Sequence, residues 1–575
     1  MYERNYNLLN AKFKEFFLPT LFTSMAGNIC LFVDGLVVSY LLGSGSLSVI
    51  QIITPIITFV NLIYWMIGLG GSVLCSVSKA EFDDEKSNSY FTVSIISLMV
   101  IGILITILGL LFSNSFVRVL CSSQPNLIDG VTRFFIPLII GMPFLFYMMS
   151  LSYFSRTDGN PKLPFGSILI ANIINICCDF IYIKYFNMGI AGAALATTTG
   201  QIVGAIIISS YFFTSGRTLH FLKLKAKDFF NYLKSIVTSG FSSASTELYT
   251  TIKVYLINFL LGLCIGEVGL LAFNISYNSL FILFIFLIGT SQTMSPIVSV
   301  YFKEEDFSGV DYVIKKSFKI VLISSLALAA LFMIYPQLLL MLYSVNNPSD
   351  IPVVTNAIRI FVLSYVGMGI AFLYTFYAQA IQKNKLSNII SILEGLIAPI
   401  AFSVPLAFLM GANGIWISFV LVEVVTIAYI FIYSKYLNKK TNGEYSGFFI
   451  NKHNDEEKVF EYTIEGDVKE AVDLSHEVQE YLSGNKSSTL VALAIEEMLV
   501  NIIEINESID FIDVIVRNNE ENILISIKDT GIEFNPVIEN ENLEFDNISV
   551  LNRIADNIDY SRVLGLNSTV ITIKN

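Results

Sequence analysis

The sequence predicts a mainly α-helical polytopic membrane protein of twelve transmembrane helices in two six-helix repeats, followed by a soluble α/β domain. Three observations predict it. Of 575 residues, 54% are hydrophobic and 14% charged, against about 25% charged in soluble chains. Apolar stretches long enough to cross a bilayer follow one another from about residue 16 to 436. The charge then changes sign: residues 1–440 hold 26 Lys/Arg against 20 Asp/Glu, and residues 441–575 hold 9 against 27. The two parts are built for different solvents. The acidic tail argues against nucleic acid as a partner and against docking on anionic lipid.

Spans are expected near residues 17–42, 49–75, 91–113, 131–154, 164–186, 190–213, 234–264, 268–296, 316–343, 357–381, 387–409 and 414–436. Basic residues collect after the even-numbered spans: Lys79 and Lys86, Arg156 and Lys162, Arg217 and Lys223, Lys303 and Lys315, Lys383 and Lys385. The start adds Arg4, Lys12 and Lys14. The positive-inside rule then puts both termini in the cytoplasm of a multi-pass protein in the plasma or inner membrane. The six cysteines show neither metal spacing nor a disulfide framework. No short apolar leader with a small-residue cleavage site stands at the start, so the first apolar segment is expected to be kept as a span.

The spans repeat. Gly68–Phe112 resembles Gly289–Phe332, each with a small-residue patch, an acidic loop (Asp83-Asp84-Glu85, Glu304-Glu305-Asp306) and an apolar span. Gly159-Asn160-Pro161-Lys162 takes the place of Ile381-Gln382-Lys383-Asn384. Met188-Gly189-Ile190-Ala191-Gly192 matches Met410-Gly411-Ala412-Asn413-Gly414. Two parallel repeats, 1–220 and 221–440, are expected to enclose a site near the bilayer midplane and rock about it.

Ionisable groups inside a bilayer cost about 2.5–3.5 kcal/mol each even on the lenient insertion scale, so those present need a reason. Asp34 lies well inside the first span and Asp179 inside the fifth. Asn175 and Asp179, four apart, share a helix face, and Thr197 follows on the sixth span. In the second repeat Glu247, Lys253, Glu394 and Glu423 fall inside apolar segments. Glu247 and Glu394 are candidate substrate or proton groups, with pairing to Lys253 as the structural alternative. The abundance of Phe, Tyr and Met suits an apolar cationic substrate, and equally suits lipid-facing packing.

Asn-x-x-x-Asp at 175–179, followed by Met-Gly-Ile-Ala-Gly-Ala-Ala-Leu-Ala-Thr at 188–197, resembles the fifth and sixth helices of MATE (multidrug and toxic compound extrusion) transporters, the DinF-like branch included. Asp34, Arg156-Thr-Asp-Gly-Asn-Pro161 and Ser295-Pro-Ile-Val-Ser299 extend the resemblance over about residues 10–440. It implies a cation-coupled antiporter that exports small organic, cationic or amphipathic compounds by alternating access. Asp34, Asn175, Asp179 and Thr197 would form its cation-responsive site. Two carboxylates and two neutral oxygens can replace the hydration shell of Na⁺, and a close carboxylate pair can instead hold H⁺. A flippase of lipid-linked or polysaccharide precursors is the alternative with the same twelve-span plan.

After a polar linker, 441–457, residues 458–575 change to a soluble rhythm. Strands are expected at 459–464, 511–516, 523–528 and 569–573, and helices at 468–482 and 487–505. Glu497 and Asn501 sit four apart on the second helix, and Asp529-Thr-Gly531 follows a strand. Together these resemble the GHKL ATP-binding fold of anti-sigma-factor serine kinases. The resemblance implies ATP with Mg²⁺ as ligand, Asn501 on the metal, Glu497 as the orienting or catalytic base, and Asp529 and Gly531 at the adenine. A cytoplasmic regulatory protein is the partner it implies, and a membrane-tethered signalling protein the alternative function. The sequence departs from that pattern: Glu533 replaces the second glycine, and Phe545–Val550, where a glycine-rich phosphate box belongs, contains no glycine. Side chains and negative charge there oppose phosphate binding.

Overall fold

The computed structural model describes the backbone of residues 3–42, 45–121, 127–214, 216–343, 345, 347–452, 458–506, 509–519, 521–536 and 547–575. The side chains of 28–36, of Glu247 and of a few further positions also lie outside the described residues, and with them the Asp34 carboxylate.

The first repeat comprises α1 (Asn7–Leu42), α2 (Gly45–Tyr64), α3 (Gly70–Ala80), α4 (Asp84–Leu111), α5 (Ser113–Leu120), α6 (Ile128–Thr157), α7 (Lys162–Asp179) and α8 (Ile190–Ile208). The second comprises α9 (Ala226–Ile265), α10 (Glu267–Asn278), α11 (Leu280–Lys303), α12 (Phe307–Ile334), α13 (Gln337–Leu342) and α14 (Asp350–Phe361). It ends with α15 (Tyr365–Ala380), α16 (Asn384–Ile392), α17 (Ala398–Met410) and α18 (Ala412–Lys440). Among the described residues, eleven helical stretches are long and apolar enough to cross a membrane, and α1 runs beside them. Many side chains on them are large, apolar and exposed, such as Leu104, Leu111, Ile206 and Phe408, as lipid-facing surfaces require. Among the described residues, three short π-helical turns interrupt the spans, at Trp65–Leu69, Phe180–Tyr185 and Leu393–Ile397. Such turns concentrate at functional positions.

The repeat is written into the backbone. Gly189, capping α8, has φ 57° and ψ −141°, and Gly411, capping α18, has φ 59° and ψ −140°. A Cβ is disfavoured in both. Asp83 caps α4 by accepting from the Lys86 backbone N–H, and Asp306 caps α12 by accepting from that of Gly309. Gly159 and Gln382 are the positive-φ residues of their loops, at 90° and 59°. By this measure Gly159 corresponds to Gln382, one residue beyond the expected Ile381, because each follows the capping residue of its helix.

Residues expected as a linker carry the short hairpin β1 (Tyr445–Ser446) and β2 (Asn451–Lys452). It is pinned to α15, where Tyr374 donates to the Phe448 carbonyl at 2.9 Å and Tyr377 to Asn451 Oδ1 at 3.1 Å. Beyond it come β3 (Lys458–Ile464), α19 (Val468–Tyr481), α20 (Ser488–Ile505), β4 (Ile512–Asn518), β5 (Asn522–Asp529), α21 (Asn547–Ile554), β6 (Asn557–Val563) and β7 (Leu566–Lys574). The expected strands and helices all form; α21 and β6 were not anticipated. The sheet is antiparallel, ordered β3-β4-β5-β7-β6.

Period-two alternation divides this sheet. Val514, Val516, Ile525, Ile527 and Ile571 pack with Leu474, Ile495 and Leu499 of the helices. The alternate residues Asp513, Arg517, Ser526, Lys528 and Ser568 are polar yet buried. Part of what buries them is the membrane region: Ser568 donates to Glu304 at 2.9 Å, Lys528 pairs with Glu304 at 2.6 Å, and Arg4 reaches Asp513 at 3.2 Å. Both chain ends therefore meet on one face, and the sheet lies flat on the loops of that face.

Candidate functional site

A cavity of about 400 Å³ opens inside the membrane region. Its wall comes mainly from the first repeat, with Ile288 and Gln292 contributed by the second. Apolar and sulfur-bearing side chains such as Trp65, Tyr153, Met142 and Met148 alternate there with amides. That mixture of an apolar wall and a few fixed polar groups is what small-molecule sites use.

Two residues of the expected cation cluster border this space. Asn175 and Thr197 line the cavity, and Asn175 Nδ2 donates to Thr197 Oγ1 at 3.3 Å. The contact follows from the close packing of α7 on α8, where Gly200 lets the helices approach: a Cβ there would sit 2.5 Å from the Ala171 carbonyl. Asp179 is fully buried at the end of α7, where the π-helical turn begins. Asp34 belongs to α1, and its carboxylate lies outside the described residues. Asn175 and Thr197 are thus brought together, with Asp179 one turn along the same helix.

Arg156 is the residue whose role the sequence did not disclose. It reads as a loop cation, yet it is 5% exposed and lines the cavity. Its Nη1 donates to Gln292 Oε1 at 2.7 Å, across the two repeats. Its neighbour Asp158 knots together the loops of the domain-bearing face, pairing with Lys79 and accepting from Tyr211 Oη at 2.5 Å and from the Thr218 backbone N–H at 3.0 Å. Two further seals join the repeats, the first near that face and the second deeper in the bundle. Lys303 pairs with Glu81 at 2.6 Å. Gly70 and Gly240 are so close that a Cβ on Gly70 would fall 2.7 Å from the Gly240 Cα.

In the second repeat, Lys253 and Glu423 are buried, and Glu394 lies half-buried on the π-helical turn Leu393–Ile397. Lys253 is near enough to attract both carboxylates. Gly367 makes room for Glu423, since a Cβ there would lie 2.3 Å from the Glu423 Cβ. The Glu247 side chain lies outside the described residues.

The α/β domain places Glu497 and Asn501 on α20, and Asp529 and Gly531 at the end of β5. Asp529 is 2% exposed. Its Oδ1 already accepts from Asn567 Nδ2 at 2.8 Å and from the Gly531 N–H at 2.7 Å. Arg562 closes over this pair, donating to Asn567 Oδ1 at 2.8 Å. The Asn506 side chain stands against Gly531, within 2.6 Å of where a Cβ would be. Burial pushes the Asp529 carboxyl up, against those two hydrogen bonds. Burial, then Glu496, raises Glu497. Asn501 keeps an unbonded buried Oδ1, as a metal ligand would. One oxygen of the Asp529 carboxylate is thus already engaged within the domain, and no step is assigned to ATP.

Two internally repeated helical bundles around a membrane-embedded cavity define a polytopic transporter. The MatE family model matches residues 19–181 and 242–404, one block in each repeat, and the chain belongs to the MatE family. It is 24% identical to the multidrug export protein MepA of Staphylococcus haemolyticus (strain JCSC1435) over 428 residues, 73% of this chain and 92% of that protein. Against MepA of Staphylococcus aureus (strain MRSA252) it is 20% identical over 392 residues, 68% of this chain and 85% of that one. An outward-facing MATE transporter of the MOP superfamily superposes with a TM-score of 0.68 at 19% identity, covering 75% of this chain and 96% of that structure. At that identity the likeness speaks for the fold alone.

Proposed function

We propose that this protein exports small organic compounds by alternating access, driven by Na⁺ or H⁺ entry, and that its C-terminal domain regulates the cycle from the cytoplasm. The observation that carries the proposal is the cavity of about 400 Å³, walled mainly by the first repeat, with Asn175 and Thr197 in its wall. The printed names of the relatives, multidrug export proteins, agree with it. Asp34, Asn175, Asp179 and Thr197 are assigned to the coupling cation, after the DinF-like pattern. Glu394, with Lys253 and Glu423, is assigned to a second charged group in the other repeat. Alternating access requires the seals near the domain-bearing face to break and re-form.

The regulatory half of the proposal draws on the docked sheet. The domain touches both repeats: Glu304 and Asp306 of the second through Lys528, and Gly159 of the first through Gly565. A body that bridges two rocking lobes favours the arrangement it bridges. The domain, GHKL-like in its strand and helix order, would act here as a brace rather than a motor. Efflux of a fluorescent dye from vesicles under imposed Na⁺ and pH gradients tests both halves. Wild type should show gradient-dependent efflux, Asp179→Asn should lose the dependence, and a chain ending at Lys440 should transport with an altered rate. Gradient-independent efflux by wild type would overturn the coupling; an unaltered rate after truncation would overturn the brace.

A further inference from the structure

We infer that the cavity takes substrates bearing a carboxylate or another anionic, hydrogen-bond-accepting group, and that Arg156 is the residue that holds it. The inference rests on reading the cavity as the transport site, and it narrows the substrate class expected from sequence.

Arg156 is the one charged side chain among the described residues lining the cavity. None of those lining residues is a carboxylate. The guanidinium is nearly enclosed, yet its Nε has no hydrogen-bond partner. What it touches is neutral: Gln292 at 2.7 Å and the Tyr153 ring, 6.0 Å from its centroid. Arginine keeps its charge under these conditions. A buried, uncompensated cation is unfavourable unless a counter-charge or strong acceptors meet it. The cavity is where such a group can enter.

Two more wall atoms point the same way. Asn172 Nδ2 is a buried donor without a partner, and Gln201 Oε1 a buried acceptor without one. Both residues line the cavity. Native proteins leave few buried polar atoms unsatisfied, and those left at a cavity wall are matched by water or by a molecule that binds there. Two donors without partners, one of them cationic, and one such acceptor fit an acidic or zwitterionic organic molecule. The apolar wall of Trp65, Tyr153, Met142 and Met148 would hold its carbon skeleton. A simple organic cation would meet the Arg156 charge with no described carboxylate to offset it.

The chain has two tryptophans, and Trp65 lines the cavity while Trp416 is buried elsewhere. With Trp416→Phe, Trp65 quenching in the purified full-length protein reports binding directly. Rhodamine 110, with a free carboxylate, and rhodamine 123, its cationic methyl ester, share one skeleton. The unmodified site should bind rhodamine 110 several-fold more tightly. Arg156→Gln should weaken rhodamine 110 by about tenfold or more, the scale of a lost charge-assisted hydrogen bond, and change rhodamine 123 by less than about twofold. Arg156→Lys, which keeps the charge without the fork, should fall between. Tighter binding of rhodamine 123 would overturn the inference, and so would an equal loss for both dyes in Arg156→Gln. Should Arg156→Gln fail to fold, the preference of the unmodified site still decides. No ion gradient is needed, so absent export with selective rhodamine 110 binding would reject the export proposal alone.

Discussion

Arg4 forks onto Asp306: Nη1 and Nη2 each lie 2.8 Å from a separate carboxylate oxygen. The pair is nearly solvent-free, with side-chain exposures of 2% and 1%. It joins the segment before the first helix to the loop between α11 and α12, and Arg4 also reaches Asp513 and Glu461 of the α/β domain. Lys528 completes the cluster, lying 2.6 Å from Glu304 and 3.7 Å from the centroid of the Tyr301 ring. Removing one partner of a buried pair leaves an uncompensated charge, at a cost of about 3–5 kcal/mol. Asp306→Asn and Arg4→Ala should each free the domain, and hydrogen exchange in β4 and β5 should rise. The double variant should exchange little faster than either single one, because the two residues share one interaction. Additive effects would show that they act separately.

The same cluster fixes how docking responds to acid. Burial alone would raise the Asp306 carboxyl, but Arg4 and Lys528 outweigh it and hold the group well below the usual carboxylate range. Its contribution is present above its undocked value and is lost only as pH falls through the lower docked value. Asp513 moves the other way: burial pushes it up, against Arg4 and the Thr463 hydrogen bond. Its protonation as pH falls favours the docked form. Neither group releases the domain on mild acidification. Exchange in β4 and β5, corrected for the intrinsic rate, should be no faster at pH 5 than at pH 7.5. Faster exchange at pH 5 would contradict this.

A turn completes the dock. The β6–β7 hairpin closes through Leu564 and Gly565, both at positive φ, 56° and 72°, as a tight two-residue hairpin requires. Leu564 is 1% exposed. Gly159, at φ +90°, lies against it, and a Cβ there would fall 2.4 Å from the Gly565 nitrogen. Gly159→Ala should lift the hairpin and speed exchange around residues 563–566 at least tenfold. Gly565→Ala should do less to the dock, since its Cβ would meet Lys12 Nζ, the end of a long side chain, at 3.4 Å. Its own left-handed backbone would cost about 1–2 kcal/mol. Equal effects would mean that the contact with Gly159 carries no weight.

The sequence exposes what repeats or has a period. Spans follow from runs of apolar residues, the two halves from landmarks such as Gly189 and Gly411, and the sheet from alternation such as Ile523, Ile525 and Ile527. Asn175 and Thr197 were legible because each sits in a local motif, and they meet in space. Arg156 was not, because a cation at a span end reads as a loop residue until the surrounding helices bury it. Arg4 with Asp306 was hidden for a related reason. Asp306 caps a helix as its counterpart Asp83 does, and nothing local says that a residue 302 positions earlier will claim its carboxylate. Charge partners chosen by tertiary packing leave no periodic trace.

The buried charges of the second repeat give a last prediction. Two carboxylates, Glu394 and Glu423, lie within electrostatic reach of one ammonium, Lys253, so the group holds one negative charge too many when all three are ionised. Glu423 is 3% exposed, and its Oε2 has no hydrogen-bond partner. Glu423→Gln keeps the shape and removes the excess charge. It should leave thermal stability unchanged or raise it. Lys253→Met keeps most of the apolar stem but removes the positive charge near both carboxylates, and should lower the melting temperature. Melting of the purified variants in detergent, followed by intrinsic fluorescence, separates the two. If Glu423→Gln lowered the melting temperature as far as Lys253→Met, the carboxylate would be a needed partner of the lysine rather than the surplus charge.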